Sequence, residues 1–348
     1  MSPQPWWHPD ALAARRPFLQ RRAEMEAAIK GWFAKAGFIE VATPALQLSP
    51  GNETHLKAFP TRLTDPFGGP DSPLHLHTSP EFAMKKLLAG GMQRIHQMAR
   101  VFRDGEAGPL HSPEFTMLEW YRAPGTLAEI MADTDALLAA AADGGPLSWQ
   151  GHQVPADGPA ERLSVDDAFQ RHCGFSLLDT IADPFNPDPD PTPLADHAAS
   201  LGIECAPTDR FEDIFFRLFL ARIEPHLGRQ RPTFLHAYPA ALGALARRDP
   251  TDPRVVERFE VYVAGMELAN AFGELTDPAE QRQRFEHDMA LKEKLYGTRY
   301  PIDEDFLAAL PHLPDCAGIA LGIDRLAMLT SGANHIHQVL WAPVTPQA

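Results

Sequence analysis

The stretch Val101–Arg122, VFRDGEAGPLHSPEFTMLEWYR, sets an arginine, a glutamate and a tyrosine where one ligand could meet all three. Arg94–Arg103 and Glu114–Arg122 each alternate apolar and polar residues, the pattern of half-buried antiparallel strands. Gly105, Gly108, Pro109 and Pro113 lie between them and stop both strands. Arg103 ends the first strand. Side chains at i and i+2 share a sheet face, so Phe115, Met117, Glu119 and Tyr121 point together. A glutamate among aromatics on a core-side face is costly to bury unless a cation pairs with it; the plain alternative is a surface hairpin with a chance acid. A second stretch, EVYVAGMELANAFGE (Glu260–Glu274), places Asn270, Phe272 and Glu274 on one face of a strand that resumes after a turn at Gly265. Glu260 and Glu267 can then meet across that turn. Neighbouring carboxylates repel unless a cation joins them, and hard oxygen ligands suit Mg²⁺ held together with a nucleotide's phosphates. Solvated acids on a strand edge would read the same. In a third stretch, CAGIALGIDR (Cys316–Arg325), Gly318 and Gly322 interrupt an apolar strand, where glycine marks close approach to the backbone. A helix carrying Arg325 follows directly, and a tight helix–sheet contact is the alternative there. Neither the dinucleotide nor the P-loop pattern occurs.

These residues need a scaffold, and the chain around them supplies one. A helix is expected over Arg15–Lys35, with Phe18, Met25, Ile29 and Phe33 on one stripe and Gly37 as its stop, after a Pro- and Trp-rich arm. Phe38–Val41 reads as a short strand, Leu46–Gly69 as loop and Leu74–His77 as a strand. The last runs into Ser79-Pro80-Glu81, an N-cap, a first helical residue and an acid at the positive helix end, with the helix reaching Leu88. Further helices open at Thr126-x-x-Glu129, Ser164-x-x-Asp167, Asp209-x-x-Glu212 (to Leu227) and Asp277-x-x-Glu280 (exposed, to Leu295). Thr233–Tyr238, Arg258–Phe272 in two pieces and Ile319–Ile323 read as strands, and a last helix ends at Gly332. Asp183–Pro193, DPFNPDPDPTP, is expected to be an exposed linker that is neither helix nor inner strand. Strands in two blocks around a helical middle predict an α+β fold with a large antiparallel sheet flanked by helices. Residues 143–231 read as a helical and loop-rich insertion within one domain spanning 1–348.

Composition narrows the partners. The 348 residues carry 31 basic and 46 acidic side chains, a net charge of −15, which opposes non-specific binding of nucleic acid. Three scattered cysteines form no metal-site pattern and suit a reducing compartment. No run approaches the roughly 18 apolar residues of a membrane span, and the first residues lack an export signal. A cytoplasmic protein without a membrane partner is expected.

Taken in order, the three stretches resemble the catalytic core of the class II aminoacyl-tRNA synthetases. Strand–FRxx–loop–HxPEF–strand is similar to motif 2 of that class, GIALGIDR to motif 3, and EVATP, ending in Pro44, to the dimer-forming motif 1. MELANAFGELTD with EFTMLEWY narrows the resemblance to the lysine enzymes. It implies ATP as co-substrate, with Arg103 on the α-phosphate and Phe115 and Arg325 around the adenine, Arg325 also reaching the terminal phosphate. It implies Mg²⁺ on Glu260 and Glu267. Glu119, Tyr121 and Glu274 would take a lysine-like ammonium, Ser79 and Glu81 the other amine, and Asn270 the carboxylate end. Gly105, Glu106, Ser112, Leu268 and Gly322 fall beside the nucleotide by the same resemblance, and Pro80, Phe272 and Ala320 beside the amino acid.

Lysyl-tRNA synthetases carry an N-terminal OB-fold for the anticodon, and none is expected before Pro44 here. The chain therefore resembles the elongation factor P lysine ligases, truncated paralogues of those synthetases. That family activates lysine, preferably (R)-β-lysine, and transfers it to a lysine side chain of elongation factor P. Ala320, where the lysyl-tRNA synthetases have glycine, agrees. The resemblance thus implies elongation factor P as acceptor, no tRNA, and a homodimer. A truncated synthetase charging tRNA and a non-catalytic regulatory paralogue are the alternatives. Two departures lie in the nucleotide-facing loop: Arg103-Asp104-Gly105 displaces the usual acid to Glu106, and Ser112 stands where asparagine is common.

Overall fold

The computed structural model describes residues 5–243 and 245–344. Its strands are β1 (Ile39–Glu40), β2 (Leu46–Gln47), β3 (Pro60–Leu63), β4 (Ser72–Leu76), β5 (Arg94–Phe102), β6 (Glu114–Arg122), β7 (Leu147–Trp149), β8 (His152–Val154), β9 (Glu161–Ser164), β10 (Thr233–Pro239), β11 (Val255–Val263), β12 (Met266–Gly273) and β13 (Ala317–Gly322). The α-helices are α1 (Pro9–Lys35), α2 (Glu81–Ala89), α3 (Leu127–Ala142), α4 (Val165–Cys173), α5 (Thr192–Ser200), α6 (Phe211–Leu218), α7 (Pro278–Tyr296), α8 (Glu304–Ala309) and α9 (Ile323–Ser331). Eight strands form the main sheet in the order β1-β5-β6-β13-β12-β11-β10-β9. Its six central strands are antiparallel, whereas β1 on β5 and β9 on β10 are parallel, so the sheet is mixed at its edges.

The sheet has two unlike faces, as period-two alternation requires. Leu118 and Trp120 of β6, Ile319 and Leu321 of β13, Ala269 and Ala271 of β12, and Phe259 and Val261 of β11 turn to one side. There they pack with Met25, Ile29 and Phe33 of α1 and the apolar stripe of α9 in the largest core cluster. Trp120 meets Phe33 edge-on at 5.6 Å. The other face carries the polar residues of the same strands.

Position across the layers is fixed by one buried acid. Asp324, at the start of α9, accepts the Thr116 backbone N–H of β6 at 2.7 Å and pairs with the Arg22 guanidinium of α1. Arg22 also donates to the Val339 carbonyl at 2.9 Å, to the Thr116 hydroxyl at 3.1 Å and to Glu26 at 2.7 Å.

The structure departs from the sequence reading where local signals misplaced an end. α1 starts at Pro9, not near Arg15, and runs through Pro17; the part of the expected arm before residue 5 lies outside the described residues. The loop over Leu46–Gly69 contains β2 and β3, which flank β4 in a small sheet. α2 is capped at Pro80, one residue after Ser79, although the Ser79 hydroxyl still accepts the Glu81 N–H at 3.0 Å. α6 is capped at Arg210 and gives way to a π turn at Phe219–Ile223. α7 is not wholly exposed, since Gln281, Phe285, Met289 and Lys292 are buried. Asp183–Pro193 ends inside α5, because proline is tolerated in a first helical turn. Within 143–231, β7 and β8 form a hairpin and β9 joins the main sheet.

Removing the central acid should loosen the whole assembly. Asp324→Ala takes from Arg22 its buried partner, leaving it only the less buried Glu26, and is expected to cost about 3–5 kcal/mol of unfolding free energy. Urea denaturation checks this, and a loss below about 1 kcal/mol would show that the network is dispensable.

Candidate active site

The strand register turns the polar face into two rows. Glu119 of β6 lies opposite Ala320 of β13, Ala320 opposite Asn270 of β12, and Asn270 opposite Glu260 of β11. One step along, Tyr121, Gly318, Phe272 and Arg258 form the next row. Gly318 answers the expectation of close approach, since a Cβ there would stand 2.2 Å from the Tyr121 ring. Gly322 differs, because a Cβ there would make only ordinary contacts at 3.8 Å with Arg325 and the Leu268 carbonyl.

Four acids and a lysine collect at the Glu119 end. Glu119 is 1% exposed; Ser79 donates to its Oε1 at 2.6 Å and Tyr121 to its Oε2 at 2.9 Å. Among the described residues no basic side chain forms an ion pair with it. Burial first, and Glu81 second, push its carboxyl up to about 8, against the two hydroxyl bonds. Glu81 begins α2, and Glu274 follows β12 at 1% exposure. The two share the buried ammonium of Lys85, which bonds Glu81 Oε1 and lies 2.5 Å from Glu274 Oε2. Burial works against that ammonium, but Glu274 and Glu81 hold its pKa above the ordinary lysine value. Lys85 went unremarked in the sequence; its i, i+4 spacing from Glu81 was the available signal. The fourth acid, Glu53, faces the same region from the loop after β2, raised by burial and relieved by Arg103.

Glu260 and Glu267 are set differently. Arg258 donates to Glu260 Oε1 at 2.5 Å, and the hydroxyls of Tyr238 and Tyr262 donate to Oε2 at 2.6 Å each. Arg258 also bonds Asn270 Oδ1 at 3.2 Å and stacks 4.3 Å over the Tyr238 ring, so it organises Asn270 and Glu260 together. Sequence reasoning missed this arginine, which sits two residues before Glu260 on the same face. Glu267 lies 3.8 Å from the Arg325 guanidinium, and burial, then Glu260, push its carboxyl up to about 7 against that charge. Among the described residues no group of three or more potential metal ligands occurs. Two neighbouring carboxylates, with Glu260 raising Glu267, still fit a hard cation that takes its remaining ligands from phosphates and water.

Beyond them lies a basic, aromatic end. Arg103 packs 5.2 Å from the Phe115 ring centroid, with Glu106 3.8 Å away, and its Nε is buried without a hydrogen-bond partner. Ser112 Oγ is likewise buried and unpartnered. Gly105 turns the loop at φ 86° with open space around it, and Asp104 pairs with Lys57 at 2.6 Å. Arg325 donates to the Glu267 carbonyl at 2.7 Å and meets His111 Nε2 at 2.7 Å, so the loop histidine joins β12 and α9. A cavity of about 630 Å³ opens beside Arg258, Asn270 and Phe272, and residues 185–191 line its far wall. The segment expected to be a plain exposed linker is thus part of a cavity.

A family model for class II tRNA synthetases (D, K and N) matches residues 13–346. The chain belongs to that family. Within it, the chain is 42% identical over 343 residues to the elongation factor P–(R)-β-lysine ligase of Klebsiella pneumoniae, covering 98% of each chain. It is 41% identical to the protein of the same name from Salmonella paratyphi B over 98% of each. The Hamiltonella defensa protein of that name is 40% identical over 97% of each. The chain is therefore also a member of the elongation factor P–(R)-β-lysine ligase group. No described helix is long and apolar enough to cross a membrane.

The acidic end generates a pH signature. A carboxyl that holds its proton in the empty pocket must lose it to receive an ammonium. Affinity for a cationic amino acid should therefore climb as pH rises to about 8, by up to about tenfold per pH unit, and then level off. Calorimetric titration with lysine across that range checks the slope, and a flat profile would remove Glu119 from ammonium recognition.

Proposed function

We propose that this chain uses ATP to activate lysine, preferably (R)-β-lysine, as an acyl-adenylate and passes the lysyl group to a lysine side chain of elongation factor P. The names of its relatives and the resemblance of its motifs support the reading. The observation in the structure that carries it is Glu119, a buried carboxylate held by Ser79 and Tyr121 and, among the described residues, in no ion pair. Such a group stays ionised only when an ammonium arrives.

The reading assigns each end of the cleft. Glu119, Tyr121 and Glu274 receive the distal amine, and Ser79, Pro80 and Glu81 the amine nearer the carboxylate. Asn270, oriented by Arg258, faces the carboxylate end, with Phe272 and Ala320 shaping the floor. The substrate carboxylate attacks the α-phosphorus, the bond to pyrophosphate breaks, and Arg103 neutralises the charge that develops there. Its orphaned Nε fits that task. Phe115 and Arg325 enclose the adenine, and Gly105, Glu106, Ser112, Leu268 and Gly322 border the nucleotide. Mg²⁺, held by Glu267 and Glu260, would offset phosphate charge. The acceptor amine then attacks the acyl carbon, and AMP leaves with the carbon–oxygen bond. No side-chain nucleophile takes part; positioning and electrostatics do the chemistry.

The net charge of −15 favours a protein acceptor over tRNA. The whole chain is read as one catalytic domain with 143–231 inserted, because β9 from that segment completes the main sheet. Ile39, Leu46 and Leu48 are exposed apolar side chains flanking Pro44, and they support a homodimer through this segment. A cytoplasmic location goes with a translation factor as acceptor.

Two measurements test these statements. Given ATP and labelled lysine in α and (R)-β forms, the protein should label elongation factor P and leave total tRNA unlabelled, with the β form preferred. Label on tRNA alone would make it a minimal synthetase. In sedimentation the protein should run as a dimer and Leu48→Asp as a monomer; a monomeric parent protein would sink the dimer reading.

A further inference from the structure

Lys85 is the cation of the amino-acid pocket, and the proposed reaction leaves it without a part. It is 2% exposed, lies on the second turn of α2, and reaches two acids from different elements. Glu81 stands one turn before it on the same helix, and Glu274 lies beyond the end of β12. Each gives it one oxygen only. Glu81 Oε1 and Glu274 Oε2 face Lys85, which leaves Glu81 Oε2 and Glu274 Oε1 for other partners. Glu274 Oε1 comes within 3.0 Å of where a Gly318 Cβ would stand, so it points to the row that holds Tyr121 and Phe272. The Phe306 ring of α8 closes the remaining side, 5.9 Å from the ammonium.

We infer that Lys85 is a positioning and specificity residue that bridges the two amine seats of the pocket and sets its charge to match a substrate with exactly two amines. The inference rests on the proposed lysine-activating function and deepens it. With Glu53 set against the Arg103 charge, the other three carboxylates, Glu81, Glu119 and Glu274, surround one resident cation, which leaves two negative charges unmet. A substrate with two ammonium groups cancels them. A substrate with one amine leaves a buried carboxylate unpaired, and a buried unpaired charge is strongly disfavoured. Because a single ammonium ties both acids, Lys85 also fixes how far apart the two seats lie.

The groups facing this cluster agree. Burial raises Glu274, and Lys85, with Arg247 farther off, draws it back toward the ionised form. Tyr121 on β6 and Cys316 before β13 are both held neutral, first by burial and then by the surrounding carboxylates. Lys85 also draws on Glu119, but makes no ion pair with it among the described residues, and Glu119 remains the most strongly raised of these acids. Lys85 thus binds two of the three acids directly and leaves the third to hydroxyls.

The test compares binding of lysine with binding of norleucine, its analogue lacking the side-chain amine, by calorimetry on the full chain. In the parent protein, lysine should bind at least about 100-fold more tightly. Lys85→Met, which keeps the side chain's length without its charge, should weaken lysine binding by about 100-fold or more while ATP binding stays within a few fold. The preference for lysine should shrink with it. A Lys85→Met protein with unchanged lysine affinity and preference would overturn the inference. Failure of the parent protein to bind lysine would instead overturn the proposed function. If Lys85→Met does not fold, proton release by the parent protein decides, measured in buffers of different ionisation enthalpy. At neutral pH it should release at most about one proton per lysine, from Glu119. Release of two or more would overturn the inference.

Discussion

The carboxylate of Asp324 is the constraint on which the site depends. It sits 2% exposed between three layers, and each of its oxygens is taken by a different one: the guanidinium of α1 and a backbone N–H of β6. Breaking a buried pair of this kind leaves a charge stranded, so the three elements are held to one arrangement. Arg325 is the next residue, and its helix can be placed in only one way once Asp324 is fixed. The loop histidine His111 and the Glu267 carbonyl then meet Arg325 from the opposite side. The nucleotide end is thus assembled from the ends of α9, β12 and the loop after β5, none of which could form it alone.

The sheet solves a related problem, how to keep many charges buried beside an apolar core. Alternation sends Leu118, Trp120, Ile319 and Leu321 to the helices and their neighbours to the cleft. Register then lines up Glu119, Ala320, Asn270 and Glu260 across four strands. A one-residue slip of β6 or β11 would drive Glu119 or Glu260 into the core and an apolar side chain into the pocket. The apolar face is therefore what specifies the polar one.

Along that face the charges are graded. At the β11 end, Arg258 and two tyrosine hydroxyls hold Glu260 in place. At the β6 end, Glu119 is satisfied by hydroxyls alone, while Lys85 occupies the space between Glu81 and Glu274. Arg103 Nε and Ser112 Oγ are buried polar atoms without a hydrogen-bond partner, free to donate to an anion. Acid at one end and unsatisfied donors at the other give the cleft a polarity that suits a cationic amino acid beside a nucleotide.

Much of this was legible in the residues themselves. The two strands around the loop, the capping box at Thr126, the N-cap at Ser164, the hairpin turning at Gly265 and the helix ended by Gly332 follow from local periodicity and capping, which depend on near neighbours in the chain. The motifs around Arg103, Glu267 and Arg325 marked the family for the same reason. The parallel edges formed by β1 and β9, the early start of α1 and the cavity wall at 185–191 were not legible, because long-range pairing decides each of them. Lys85 and Arg258 look like ordinary surface charges in the sequence. Only the fold brings acids from separate segments around them, and burial then turns two unremarkable side chains into the counter-ions of the site.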